Sequence, residues 1–79
     1  MRKVTLYTRV DCHLCEDVKL VLDEVRKDTP FELEVLDIDR DEKLRALYDE
    51  EVPVVAIDGK KAFKYRVTAT ALRARLARA

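Results

Sequence analysis

Asp11-Cys12-His13-Leu14-Cys15 contains the only two cysteines of this 79-residue chain. The pair follows a strand-like run over residues 3–8 and precedes an amphipathic helix. Two cysteines separated by two residues at a strand-to-helix junction can form a small, reversible disulfide, and the helix N-terminus favours the thiolate that starts thiol exchange. The first hypothesis is therefore redox chemistry.

Length and charge narrow the function classes. A length of 79 residues predicts a single domain over residues 1–79 with one small core. Lysine plus arginine and aspartate plus glutamate number 16 each, so no charge excess favours nucleic acid or an acidic membrane surface as a partner. No apolar run approaches the roughly 18 residues that span a bilayer, and a signal-peptide core is missing. We expect a cytoplasmic monomer, in a reducing compartment where such cysteines are more often catalytic or metal-binding than structural.

Three helices are predicted. Apolar residues recur at helical spacing after the cysteines, at Val18, Val21, Leu22 and Val25. This helix must end before Thr29-Pro30, because proline drives the preceding residue out of the α region. Asp39 or Asp41 can cap a short second helix, and Thr68 can cap the last one.

Four strands are predicted between these helices. They cover residues 3–8, 31 to about 38, 54–57 and a run that starts at residue 60. Asp58-Gly59 favours a two-residue hairpin, so the last two strands should be antiparallel. The predicted order of elements is β-α-β-α-β-β-α.

That order, with the cysteine pair opening the first helix and Val52-Pro53 just before the third strand, resembles the thioredoxin fold in its minimal, glutaredoxin-like form. The resemblance covers nearly the whole chain. It implies an α/β fold with a four-stranded mixed sheet in the order 2-1-3-4, the first and third helices on one face and the second helix on the other. It also implies that Pro53 is cis and lies against the cysteine pair, and that the backbone of Val52 pairs with substrate like an added strand.

Helical geometry makes the two sulfurs unequal. Cys15 lies on the flank of the apolar stripe, whereas Cys12 turns further toward solvent. We expect Cys12 to be the nucleophile and Cys15 to resolve the mixed disulfide. His13 either stabilises the Cys12 thiolate when protonated or is an exposed residue without a role. Arg9 has three readings: it favours the thiolate, meets a substrate carboxylate, or is a surface charge at a strand end.

These residues predict a thiol–disulfide oxidoreductase that reduces disulfides of a protein or a small thiol compound and needs no cofactor. The chain departs from typical glutaredoxins, which have proline after the first active-site cysteine and a Gly-Gly-x-Asp-like segment before the last helix. Here Phe63-Lys64-Tyr65-Arg66-Val67 contains no glycine. Glutathione and a thioredoxin reductase both stay open as the reductant.

Two alternatives belong to other classes. The first is a metal or iron–sulfur module built on Cys12, Cys15 and His13. A structural zinc site needs four ligands, and these are the only cysteines and the only histidine. One subunit therefore falls short, although a dimer could share ligands, as some glutaredoxins do for an iron–sulfur cluster. The second alternative is a non-catalytic, redox-sensing interaction domain with the same fold.

Overall fold

Seven helices and strands form the framework of the computed structural model, which describes residues 1–78. In chain order they are β1 (Lys3–Thr8), α1 (His13–Arg26), β2 (Glu32–Asp37), α2 (Glu42–Tyr48), β3 (Val54–Ile57), β4 (Lys60–Lys64) and α3 (Ala69–Leu76). The predicted order is confirmed. The second strand, predicted to run to about Ile38, ends at Asp37, because Ile38 begins a 3-10 turn, Ile38–Arg40. The side chain of Asp37 accepts the N–H of Asp39 at 2.9 Å and so diverts the backbone from the sheet.

The sheet has the order β2-β1-β3-β4, as the resemblance implies. β1 pairs with β2 in parallel and with β3 antiparallel, and β3 pairs with β4 antiparallel. Leu6 is in register with Val35 on one side and with Val55 on the other, while Tyr7 is in register with Val54. The C-terminal end of β1 and the N-terminal end of β3 therefore lie at the same edge of the domain.

The core lies between one face of the sheet and two helices. Alternate residues of β1 and β3 point toward α1 and α3, as the period of a strand requires. The buried cluster consists of Val4, Leu6, Val18, Leu22, Val25, Phe31, Val55, Ile57, Leu72 and Leu76. Removal of this apolar surface from water holds α1 rigidly on the sheet, and α1 in turn carries the cysteine pair.

The second helix covers the opposite face, again as implied. The ring of Tyr48 packs on the ring of Tyr7, with 4.5 Å between the centroids, and Tyr7 points away from the face that holds Leu6. α2 has no buried residue, and Leu47 is 62% exposed. This helix therefore contributes little core, and its position depends more on polar contacts.

Short-range signals in the sequence place the caps and the hairpin correctly. Asp41 caps α2 by accepting the N–H of Lys43 at 2.9 Å, and Thr68 caps α3 by accepting the N–H of Ala71 at 3.1 Å. In the hairpin between β3 and β4, Asp58 and Gly59 have φ of 51° and 84°. Two successive positive φ values suit the right-handed twist of paired strands.

Candidate functional site

The chain turns sharply between β1 and α1. Asp11 has a φ of 61°, in the left-handed region that aspartate tolerates better than most residues. Cys12 is then extended and serves as the N-cap of α1. Its Sγ accepts the backbone N–H of Cys15 at 3.1 Å, where a serine or aspartate oxygen usually stands. Since free amides and the helix dipole face this sulfur, the fold favours negative charge on Cys12 when the pair is reduced.

The two cysteines are disulfide-bonded and differ in exposure. Their Cα atoms are 5.2 Å apart, within the usual range for a disulfide. Cys15 is 3% exposed and belongs to the buried side of α1, whereas Cys12 is partly exposed. The expected difference in exposure between the two cysteines is confirmed, and their roles stay a prediction.

His13 lies at the rim of this site. Its side chain is 98% exposed, and its Nδ1 is 3.9 Å from a carboxylate oxygen of Glu16. That separation is too long for a direct hydrogen bond. The imidazole is free to reorient toward a bound partner, and its effect on Cys12 stays a prediction.

Arg9 is held by two aspartates from distant parts of the chain. Its guanidinium donates to both carboxylate oxygens of Asp39, at 3.1 and 2.9 Å, and to the Oδ1 and the backbone oxygen of Asp49, at 2.8 and 3.0 Å. These hydrogen bonds raise the pKa of Arg9 and lower that of Asp39. Arg9 thus ties the end of β1 to the 3-10 turn and to the end of α2.

Val52 and Pro53 lie at the same edge of the domain as the cysteines. The Val52–Pro53 peptide bond is cis, as the resemblance implies. Pro53 is buried and Val52 is partly exposed. Because Val54 is in register with Tyr7, Pro53 is level with the last residue of β1. The pairing of Val52 with substrate stays a prediction.

The loop before α3 is fixed by Tyr65. This residue has a φ of 69°, a conformation that glycine adopts most easily, in the segment where typical glutaredoxins have glycines. Its N–H donates to the carbonyl oxygen of Pro53 at 2.8 Å. Its hydroxyl donates to the carbonyl oxygen of Glu50 at 3.0 Å. Tyr65 therefore fastens this loop to the segment that carries Pro53.

Two clefts flank the N-terminal half of α1. The first, about 530 Å³ in volume, is lined by Arg9, Val10, Cys12, Cys15, Leu20 and Val35, among others. We call it the β2-side cleft, because β2 forms its outer wall. The second, about 400 Å³, lies between α1 and the loop of Tyr65. The structure thus brings Arg9 together with both cysteines in one cleft, whereas His13, Val52 and Pro53 lie outside its lining.

Several residues that form this site have no role there that the sequence pattern predicts. Asp39 and Asp49 have no local signal, because their partner lies at least 30 residues away in the chain. Leu20 has a signal, because it is an apolar residue outside the core stripe of α1. Val35 has none, because it follows the apolar alternation of a half-buried strand. Tyr65 had no signal, since a positive φ is unusual for an aromatic residue.

No group of three or more His, Cys, Asp or Glu residues within residues 1–78 is arranged to hold a metal ion. None of the helices there combines the length and the hydropathy of a transmembrane segment. A metal or iron–sulfur site shared between two subunits stays a prediction.

The sheet order and the cysteine pair at the start of α1 define a thioredoxin-like fold. Thioredoxin-2 of the malaria parasite superposes with a TM-score of 0.76, covering 96% of this chain and 81% of that one, at 17% identity. At that identity the likeness concerns the fold alone. The model of the glutaredoxin-like domain family (DUF836) matches residues 3–77, and the chain belongs to this family.

Similar proteins come from several bacteria. Protein Ne2328 of Nitrosomonas europaea is 37% identical, with a TM-score of 0.84 and coverage of 96% of this chain and 92% of that one. Protein XcR50 of X. campestris is 33% identical, with a TM-score of 0.78 and coverage of 92% and 93%. An uncharacterized protein of Mycobacterium tuberculosis is 32% identical over 96% of this chain and 84% of its own length. A glutaredoxin-like fold with a C-x-x-C pair supports a redox role.

Proposed function

We propose that the protein is a thiol–disulfide oxidoreductase that carries electrons to disulfides of a protein or a small thiol compound. The observation that supports this best is the unequal placement of the two sulfurs. The Sγ of Cys12 is partly exposed and accepts the N–H of Cys15, while the Sγ of Cys15 is buried behind it. This arrangement suits a nucleophile that meets substrate and a second thiol that acts only after the first has reacted.

The reaction begins with the reduced pair. The thiolate of Cys12 attacks one sulfur of the substrate disulfide, a new S–S bond forms, and the leaving thiolate takes up a proton. The thiol of Cys15 then loses its proton and attacks the sulfur of Cys12, which releases the second substrate thiolate. The second substrate thiolate takes up a proton equivalent to the one that Cys15 lost, and the proton on the first balances the one that Cys12 gave up on ionising. Two electrons have passed to the substrate, and the Cys12–Cys15 disulfide remains. Glutathione or a thioredoxin reductase supplies the electrons that regenerate the dithiol.

The other predicted site residues are assigned to substrate contact. The backbone of Val52, beside Pro53, pairs with an extended substrate segment. The exposed imidazole of His13 meets the part of the substrate nearest Cys12. Four of the five N–H groups of Arg9 are engaged by Asp39 and Asp49, so Arg9 offers a substrate carboxylate one donor at most. The proposed setting is the cytoplasm, where the protein acts as a monomer on disulfide-bearing partners rather than on nucleic acid or membranes.

Trapping of the mixed disulfide tests the mechanism. Reduced Cys12→Ser and Cys15→Ser proteins are mixed with a protein disulfide, alkylated and separated on a non-reducing gel. The Cys15→Ser protein should accumulate a covalent adduct, because the resolving thiol is missing, and the Cys12→Ser protein should neither form an adduct nor turn over. Full disulfide reductase activity in the Cys12→Ser protein would contradict the assignment.

A further inference from the structure

We infer that the β2-side cleft recognises a polypeptide substrate that carries an apolar side chain and a basic residue beside its disulfide-bonded cysteine. This inference rests on the proposed function and names the substrate class of the same site. The cleft is continuous with the reacting sulfurs, since Cys12 and Cys15 both line it. Its volume of about 530 Å³ lies within the range of about 300 to 1,000 Å³ typical of ligand clefts.

The cleft is separate from the surface assigned to Val52. The sheet order puts β2 on one side of β1 and β3 on the other. Val35 of β2 forms one wall of the cleft, whereas Val52 and Pro53 precede β3. A substrate segment that pairs with Val52 therefore extends across Cys12 and reaches the β2-side cleft with residues on the far side of its own cysteine.

The walls of the cleft are apolar and exposed. Val10, Leu20 and Val35 are 71%, 66% and 46% exposed. Val35 lies on the face of the sheet that packs against α1, because it is in register with the buried Leu6. At Val35, however, the edge strand β2 extends beyond the part of the sheet that α1 covers. Three exposed apolar side chains around one cleft favour an apolar occupant.

Charges at the rim of the β2-side cleft favour a cationic residue next to the substrate cysteine. The two cations that line the cleft are already ion-paired: Arg9 with two aspartates, and Lys19 with Asp23 at 2.8 Å. The negative charges of the two carboxylates that line the cleft, Asp11 and Glu16, are less fully balanced by nearby cations. Asp11 has no ion pair within residues 1–78, and the partner of Glu16 is an exposed histidine at 3.9 Å. A lysine or arginine next to the substrate cysteine meets this rim favourably, whereas the anion glutathione disulfide does not.

Single-turnover kinetics with two synthetic disulfides test the inference. One is the disulfide-linked dimer of the blocked tripeptide Leu-Cys-Lys, and the other is that of Gly-Cys-Glu. Reduced protein is mixed with each, and formation of the Cys12–Cys15 disulfide is followed by alkylation and mass. We expect the Leu-Cys-Lys disulfide to react about tenfold faster, the scale on which an apolar pocket discriminates. Added salt should narrow this preference, because screening weakens the part that comes from charge.

Matched variants locate the preference. Leu20→Gln removes an apolar wall of the cleft. Leu47→Gln makes the same change on α2, where the leucine is 62% exposed and is not part of the lining of the cleft. Leu20→Gln should lower the ratio of the two rate constants several-fold, and Leu47→Gln should leave the ratio as in the original protein. Equal rates for the two peptides, or an equal ratio in both variants, would overturn the inference while disulfide reduction itself stood. Failure to reduce either peptide would overturn the proposed function as well.

Discussion

Cys12 should react with an alkylating reagent much faster than Cys15 once the disulfide is reduced. The Sγ of Cys12 accepts a helix amide at 3.1 Å, and Cys15 is 3% exposed. A hydrogen bond to a charged group is worth about 1.5 to 3 kcal/mol. The lower value applies here, because solvent competes at a partly exposed sulfur. About 1.4 kcal/mol corresponds to a tenfold change in an equilibrium, so the hydrogen bond should raise the thiolate population of Cys12 about tenfold. The greater exposure of Cys12 to the reagent adds to this difference.

Single-cysteine variants separate the two thiols. Cys15→Ser keeps the N–H that Cys12 accepts, because the donor belongs to the backbone. Each reduced variant is treated with iodoacetamide near neutral pH, and modification is followed by mass spectrometry. Cys12 in the Cys15→Ser protein should react at least about tenfold faster than Cys15 in the Cys12→Ser protein. The two rates should converge in concentrated urea, where the helix is lost. Equal rates in the folded proteins, or a faster Cys15, would show that the start of α1 does not favour the thiolate of Cys12.

Three further predictions concern the framework that holds the site. Leu22→Ala should lower the free energy of unfolding by about 2 to 5 kcal/mol, because Leu22 is fully buried. A urea titration measures this loss, and a value below about 1 kcal/mol would contradict the role of Leu22 in the core. Thr68→Ala should lower the free energy of unfolding by about 1 kcal/mol, because the cap of α3 is lost. The control Thr70→Ala, on the exposed side of α3, should lower it less, and equal losses would contradict the role of Thr68 as a cap. Arg9 holds the pKa of Asp39 below its unfolded value. The pair therefore stabilises the folded protein above about pH 4, and this stabilisation is lost as pH falls through the pKa of Asp39 in the folded state. Asp39→Asn should therefore flatten the acid side of the stability profile, and an unchanged profile would contradict the coupling.

Local patterns in the sequence were sufficient to predict most of the fold. The apolar stripe of α1, the Asp58-Gly59 hairpin and the cap at Thr68 all depend on residues within a few positions of each other. Such signals act on the backbone directly, and the structure follows them. The sheet order was different: it came from a family resemblance rather than from the residues, because strand pairing depends on contacts between distant segments.

The candidate site was predictable only in part. The C-x-x-C spacing and the helical wheel predicted the position of Cys12 and Cys15 at the start of α1 and the greater burial of Cys15. The partners of Arg9 were not predictable, because Asp39 and Asp49 meet it only after three elements have packed together. The β2-side cleft was also missed: Val35 follows the alternation of a half-buried strand, yet its exposure depends on how far α1 extends over an edge strand. Tyr65 occupies a left-handed conformation because its N–H and hydroxyl are held by residues before β3.

A redox titration tests whether Cys12 and Cys15 form a redox-active dithiol. The purified protein, analysed for metal, is equilibrated in dithiol buffers of defined potential, and its free thiols are counted by alkylation and mass. We expect one reversible two-electron transition, between about −200 and −270 mV, the range of glutaredoxins and thioredoxin. A pair that never oxidises, or that is occupied by stoichiometric metal, would contradict the account and favour a metal-binding module.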